Sequence, residues 1–296
     1  MFKRRSKYYI GMSLFFLGCC LLIAFQPNKF QKWNSIKYFD SYEHFYTTEN
    51  KNVLPVEVFV KSIPYKNMPE YVYMVNPPKK YERTIQNGYG DCSTMAYGAA
   101  YYFLKNNIPF ELIHFLPKDT FLSGGGHVAL RVLYNYKSET KIGVLDLIGG
   151  GLPSTDGNFI DIDTLAAKNS CVNLHRINEV APASYEEYYK HDYLKTVYFG
   201  FTPSNEVEKY FNFIETFYVP IGNEILEKYL YDGMAILFNQ YYSIYVNERF
   251  LDEFRIESLF YIVLLQLMRI YILFILMVLI FELFYAIKSK HQIYSN

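Results

Sequence analysis

Three residues in this sequence are of the types that together make a nucleophile: Cys92, His127 and Asp146. The thiolate is the reactive form of cysteine, and a free thiol is mostly protonated at neutral pH. An imidazole can take that proton, or hold it in a thiolate–imidazolium pair, while a carboxylate orients the ring and fixes its tautomer. Cys92 stands in Gly88-Tyr89-Gly90-Asp91-Cys92-Ser93-Thr94-Met95-Ala96. That setting puts it in the first turn of a helix, after a glycine-containing loop. The helix dipole and the unpaired N–H groups there favour a thiolate. Taken alone, Cys92 would read as a small buried core residue. It is not alone. His127 follows Gly124-Gly125-Gly126 and opens the apolar run His127-Val128-Ala129-Leu130-Arg131-Val132. Asp146 interrupts Gly143-Val144-Leu145-Asp146-Leu147, and a charge inside an apolar strand needs a partner or a task.

Strand parity decides whether the last two can meet. With the hairpin turn centred between Lys137 and Ser138, opposed residue numbers sum to 275. His127 then faces Ile148, Ala129 faces Asp146, and His127 and Asp146 are diagonal neighbours on one face, about 7–8 Å apart at the backbone. Moving the turn by one residue gives a sum of 273 and sets the pair directly opposite. An even sum would put them on opposite faces.

The elements around these residues follow from local pattern. Asp91 can cap a helix from Cys92 to about Lys105, with Met95, Ala99, Tyr102 and Phe103 at helical spacing. Asn106-Asn107-Ile108-Pro109 stops it. Residues 110–115 read as a strand, and 128–134 and 142–148 as two more around a polar turn at 135–141. Asn76-Pro77-Pro78-Lys79-Lys80 reads as a turn or linker. Residues 154–157 read as a polar loop, 159–162 as a short strand or turn, and 171–177 as a further apolar piece. Helix, strand, then hairpin is the order of a mixed α+β domain and not of a doubly wound sheet.

In this order and context the residues resemble a family. Gly90-Asp91-Cys92 with Ala96, then Gly126-His127-Val128-Ala129, then Leu145-Asp146, resembles the transglutaminase-like core of the papain-like superfamily. The order Cys, His, Asp is the same, and the spacings of 35 and 19 residues are similar. The step from the helix end into Phe110-Glu111-Leu112-Ile113 is similar as well. The likeness covers about 70 residues, under a quarter of the chain. It implies a cysteine-bearing helix packed on an antiparallel sheet that carries histidine and aspartate. It also implies acyl transfer through a thioester: proteolysis, deamidation, amide crosslinking or a related exchange. Four positions depart from the family's habits: Ala129 where an aromatic is common, Leu147 where proline is common, and Ser93 with Thr94 where acidic or aromatic residues are common. These bear on substrate choice more than on the triad. Two alternatives stay open: a catalytically silent interaction module of the same fold, and an acyltransferase acting on an envelope polysaccharide.

An oxyanion needs donors. The Cys92 backbone N–H is one. Gln86 sits where papain-like enzymes place a glutamine donor, and Asn87 and Tyr89 are further candidates. Gly124, Gly125 and Gly126 precede a strand, so they are no phosphate loop; they suit close backbone approach of a substrate. His114 reads as structural. Cys92, His114, His127 and Asp146 lack close metal-ligand spacing, and no cofactor is implied. With four cysteines, two of them adjacent in an apolar run, no disulfide framework follows, although a Cys92–Cys171 bridge is possible in an oxidising compartment.

Composition sets the wider frame. Lys+Arg and Asp+Glu are both 29, so nothing marks a nucleic-acid surface. There are 31 Tyr and 25 Phe, which fits a membrane-proximal protein or a stacking surface for sugars or peptides. Lys3, Arg4, Arg5 and Lys7 precede an apolar run at 8–25, whose length as a helix is about 27 Å. An uncleaved anchor, a signal peptide and a lipoprotein signal ending at Cys19 compete for it, and the anchor fits the length of the run best. A second run spans 259–287; its charge-free centre at 270–281 is edged by Arg269 and Glu282, and Lys288 and Lys290 follow the run. The basic flanks place both termini in the cytoplasm. The expected organisation is a tip and anchor at 1–27 and an external domain at 28–183 with its core at 81–151. An aromatic-rich helical stalk at 184–257, a second span at 258–288 and a tail at 289–296 follow. The expected setting is a bacterial cytoplasmic membrane with the domain facing the periplasm. The partners are then the bilayer, a peptide, protein or other amide-bearing envelope substrate, and a possible membrane-protein partner.

Overall fold

The computed structural model describes residues 36–38, 52–66, 73–118, 126–167 and 172–246, with six isolated positions between 263 and 278. Ser35–Phe254 is one compact unit; Met1–Asn34 with Arg255–Asn296 is the other. The apolar run 8–25 and nearly all of 259–287 lie outside the described residues. Among the described residues no helix is long and apolar enough to cross a membrane.

The class is α+β. Ten strands and seven α-helices follow one another in the described residues. They are β1 (Ile36–Tyr38), β2 (Leu54–Pro55), α1 (Val56–Ser62), α2 (Pro77–Tyr81), α3 (Cys92–Lys105), β3 (Phe110–Pro117), β4 (His127–Tyr136) and β5 (Glu139–Leu145). Then come β6 (Gly151–Thr155), β7 (Asn158–Phe159), α4 (Ile162–Ala167), β8 (Asn173–Arg176), α5 (His191–Lys195), β9 (Val197–Pro203), α6 (Ser204–Phe217), α7 (Glu224–Leu237) and β10 (Ile244–Val246). A π-helical turn spans Glu82–Gln86 and a 3₁₀ helix spans Ala183–Tyr189.

The main sheet has seven strands in the order β1-β10-β9-β3-β4-β2, with β5 also on β4. A smaller sheet runs β7-β6-β8. Every residue of β3 is buried, so the sheet is covered on both faces. On one face Phe103 of α3 meets Phe110 at 5.7 Å between ring centroids. On the other, Ile113, Phe115, Ala129, Phe199 and Phe201 pack with Ile162 and Leu165 of α4, Tyr189 and Leu194.

Helix α3 begins where the sequence puts it. The Asp91 carboxylate accepts from the Thr94 N–H at 2.8 Å, and the Thr94 hydroxyl accepts from the Asp91 N–H at 2.9 Å. This reciprocal cap satisfies two donors that would otherwise be orphaned at the helix start. Gly98 lets α3 lie against the π-helical turn, since a Cβ there would sit 2.0 Å from Thr84 Oγ1. The β4–β5 turn is two residues, Lys137 and Ser138, both at positive φ (46° and 67°). That geometry matches the strand twist. Tyr136 faces Glu139 and Leu130 faces Leu145, the register expected from a turn centred between Lys137 and Ser138.

Four local expectations are corrected. Residues 76–80 are no linker: Asn76 caps α2 through the Lys79 N–H, and Pro77 and Pro78 occupy the first turn, where no N–H is needed. The polar turn expected at 135–141 is only two residues wide, and the flanking polar residues are strand. Residues 154–157 are no simple loop: Ser154 and Thr155 end β6, and Asp156-Gly157, both at positive φ, turn it into β7. The stalk expected at 184–257 is not one, because that stretch belongs to the same compact unit. Its segment Val197–Pro203 pairs with β3 from Glu111↔Pro203 to Pro117↔Val197. A partner strand more than 80 residues away leaves no mark in local periodicity.

Candidate active site

Cys92 is the first residue of α3, half-buried and a free thiol. Its N–H lies in the turn that has no helical acceptor. Gly90 precedes the cap at φ 156°, where a Cβ would come within 2.7 Å of Thr94 Oγ1, so glycine is required for the loop to reach the cap.

His127 opens β4 and is 1 % exposed; Asp146 follows β5 and is fully buried. Their diagonal placement brings His127 Nε2 to 2.8 Å from Asp146 Oδ2. The other carboxylate oxygen accepts from the Gly149 N–H at 3.0 Å, and the Asp146 backbone exchanges two 2.9 Å hydrogen bonds with Gly151. A four-residue turn at 147–150 therefore clamps the carboxylate. Gly150 takes φ 66° there, and the Tyr65 hydroxyl donates to the Leu147 carbonyl at 2.5 Å.

His127 Nδ1 is buried and makes no conventional hydrogen bond. With Nε2 taken by Asp146, it is the ring nitrogen left for the Cys92 thiol. Burial disfavours the imidazolium. The Asp146 charge and hydrogen bond outweigh burial, the Cys92 sulfur adds to them, and the pKa is pushed up to about 10. The carboxylate and the sulfur thus both favour the cationic form of the ring.

A feature absent from the sequence reading surrounds this ring. Tyr188 stacks flat on the imidazole, with centroids 4.4 Å apart and planes 14° apart. Tyr185 is near-parallel to Tyr188 at 5.7 Å, and Tyr189 and Phe115 meet the imidazole edge-on at 6.0 and 5.2 Å. All three tyrosines come from the 3₁₀ helix Ala183–Tyr189. Burial first, and then the Cys92 charge, holds the Tyr185 and Tyr188 hydroxyls above the usual phenol range; for Tyr189 it is burial and then Asp146. The aromatic richness of the chain is the one sequence signal that pointed here, and it named no residue.

The other expected positions divide. Gln86 ends the π-helical turn and is exposed. The Asn87 N–H donates to the Glu82 carbonyl and the Tyr89 N–H to the Arg83 carbonyl, so neither backbone donor is free. The Tyr89 ring is engaged by Lys66 at 5.1 Å and Arg83 at 4.5 Å. Gly124 and Gly125 lie outside the described residues. Gly126 serves the fold: a Cβ there would sit 2.4 Å from the Phe115 carbonyl oxygen, so its close approach is to β3. His114 Nε2 meets Thr202 Oγ1 at 2.9 Å. Among the described residues no group of His, Cys, Asp and Glu is gathered to hold a metal ion. Cys171 lies outside the described residues.

Comparison with protein-family models, with curated proteins and with solved structures finds no match to this chain.

Proposed function

We propose that this chain is a membrane-anchored cysteine enzyme with a transglutaminase-like core, and that it transfers acyl groups through a thioester on Cys92. The observation that carries this reading is the buried 2.8 Å contact of His127 Nε2 with Asp146, which leaves Nδ1 for a thiol at a helix start.

In this mechanism the Cys92 thiolate attacks the carbonyl carbon of an amide. A C–S bond forms, and the carbonyl oxygen takes the negative charge against the Cys92 N–H and, as the second donor, Gln86. His127 gives its proton to the leaving amine as the C–N bond breaks. Water or an amine then attacks the thioester, His127 takes the proton back, and the thiolate is released. Asp146 keeps the ring oriented and its charge compensated throughout. The substrate class is a peptide, protein or other amide-bearing molecule of the cell envelope, reached from the periplasmic side of the bacterial cytoplasmic membrane. The two apolar runs, with their basic flanks, support that location.

The test is alkylation of the full-length chain with iodoacetamide at pH 6, followed by peptide mapping. Cys92 is expected to label at least tenfold faster than Cys171, and Asp146→Asn to remove most of that advantage. Equal labelling of the two cysteines would end the enzymatic reading and leave a silent module of the same fold. Incubation with envelope peptides is expected to add an acyl mass to Cys92; addition of a sugar-derived acyl group instead would redirect the substrate class.

A further inference from the structure

One stretch of the Ser35–Phe254 surface is apolar where a soluble surface is usually mixed. Phe217 at the end of α6 and Val219 and Ile221 in the loop that follows are exposed. Helix α7 continues it with Ile225 and Tyr229 four residues apart, and Leu226 and Leu230 four residues apart, all at least 40 % exposed. These form one stripe along the helix. The charged residues of α7 are mostly turned away from it. Glu227 is buried, accepting from the Ile221 and Gly222 N–H groups and the Tyr218 hydroxyl, and Lys228 pairs with Asp232 at 2.5 Å. Glu224 is the one charged residue exposed between positions 217 and 230.

The connections of the unit bear on what could cover this stripe. β1 and β10 pair in parallel at one edge of the sheet, Ile36↔Ile244 through Tyr38↔Val246. The chain therefore enters and leaves through neighbouring strands. Ten residues separate the apolar run 8–25 from Ile36, and twelve separate Val246 from the run 259–287. Segments of those lengths reach at most about 34–41 Å. Both ends of the unit therefore lead, within a short length of chain, to an apolar run. Only six residues join α7 to β10.

We propose that α7 and the loop at 218–222 lie on the outer face of the lipid bilayer. Ile225, Leu226 and Leu230 reach the acyl boundary, and Tyr229 sits at headgroup level. The contact would fix the orientation of the unit over the membrane. It rests on the membrane-anchored part of the function proposed above.

The experiment places single tryptophans in the full-length chain, in a Trp33→Phe background, reconstituted in phosphatidylcholine vesicles with brominated acyl chains. Leu226→Trp and Tyr229→Trp are expected to lose at least half of their emission relative to unbrominated vesicles. Glu139→Trp, on β5 at the far edge of the sheet, is expected to lose little. A chain that floats with the vesicles and shows no quenching at 226 or 229 overturns the proposal while sparing the anchors. A chain that does not float at all overturns the anchors, and the proposal with them. A dimer that dissociates on Ile225→Ser with Leu226→Ser and Leu230→Ser would assign the stripe to a second copy instead.

Discussion

The imidazole of His127 lies flat against the phenol ring of Tyr188, with 4.4 Å between centroids and 14° between planes. A cation over a π face gains on the order of 0.5–2 kcal/mol, and more as water is excluded. On the function proposed here, Tyr188 would be a positioning residue that favours the charged imidazole. Tyr188→Ala is expected to slow Cys92 alkylation at pH 6 by roughly three- to thirtyfold and to move the alkylation pH profile, whereas Tyr188→Phe keeps both. A uniform slowing with an unmoved profile in both variants would mean that the ring only fills space.

The His127–Asp146 pair makes stability depend on pH with a definite sign. The folded pKa of His127 is raised above its ordinary value to about 10, because Asp146 outweighs burial. The stabilisation it gives is complete below about pH 6.5 and is lost as pH rises through about 10. Thermal melting of the full-length chain in detergent should show a fall between pH 7 and 10, and His127→Gln should flatten it. A melting temperature independent of pH in the natural chain would contradict the assignment of charge.

Glu111 acts in a different window. It is 2 % exposed; burial raises its pKa to about 7 against the opposing pull of Arg131, which is itself tied to Asp161. An acid whose folded pKa is raised binds its proton more tightly when folded, so stability falls as pH climbs from about 4.5 to about 7. The loss is on the order of 1–3 kcal/mol. Glu111→Gln keeps an oxygen for Arg131 and removes the charge. It is expected to raise the melting temperature at pH 8 and to change little at pH 4.5, and a lower melting temperature at pH 8 would show that the ion pair outweighs its desolvation.

Two glycines separate backbone strain from crowding. Gly150 takes φ 66°, and a Cβ there would meet Ala181 Cβ at 2.4 Å. Gly157 takes φ 79° with nothing within 4 Å. Gly157→Ala should cost about 1–2 kcal/mol from φ alone. Gly150→Ala should cost more and should also slow Cys92 alkylation, because it deforms the turn that holds Asp146. Equal costs and unchanged alkylation would separate that turn from the site.

How much of this was legible in the sequence follows from the range of each interaction. The Asp91 cap, the start of α3 at Cys92 and its end near Lys105 are local, and residue type with spacing sets them. The β4–β5 register is local too, since a two-residue turn at Lys137-Ser138 fixes every pair beyond it and puts His127 and Asp146 on one face. The expected linker at 76–80 failed because prolines that break a helix interior are tolerated in its first turn.

What only the tertiary structure decided lies farther apart in the chain. β9 joins β3 across more than 80 residues, and it carries the preceding 3₁₀ helix with it. That is how Tyr188, 61 positions after His127, comes to cover its ring. The sequence by itself, through a backbone period of two, allowed the histidine and aspartate to share a strand face without forcing it. It could not determine which of 31 tyrosines would close over them. Ring stacking has no period along the chain, and only the folded sheet brings those two stretches together.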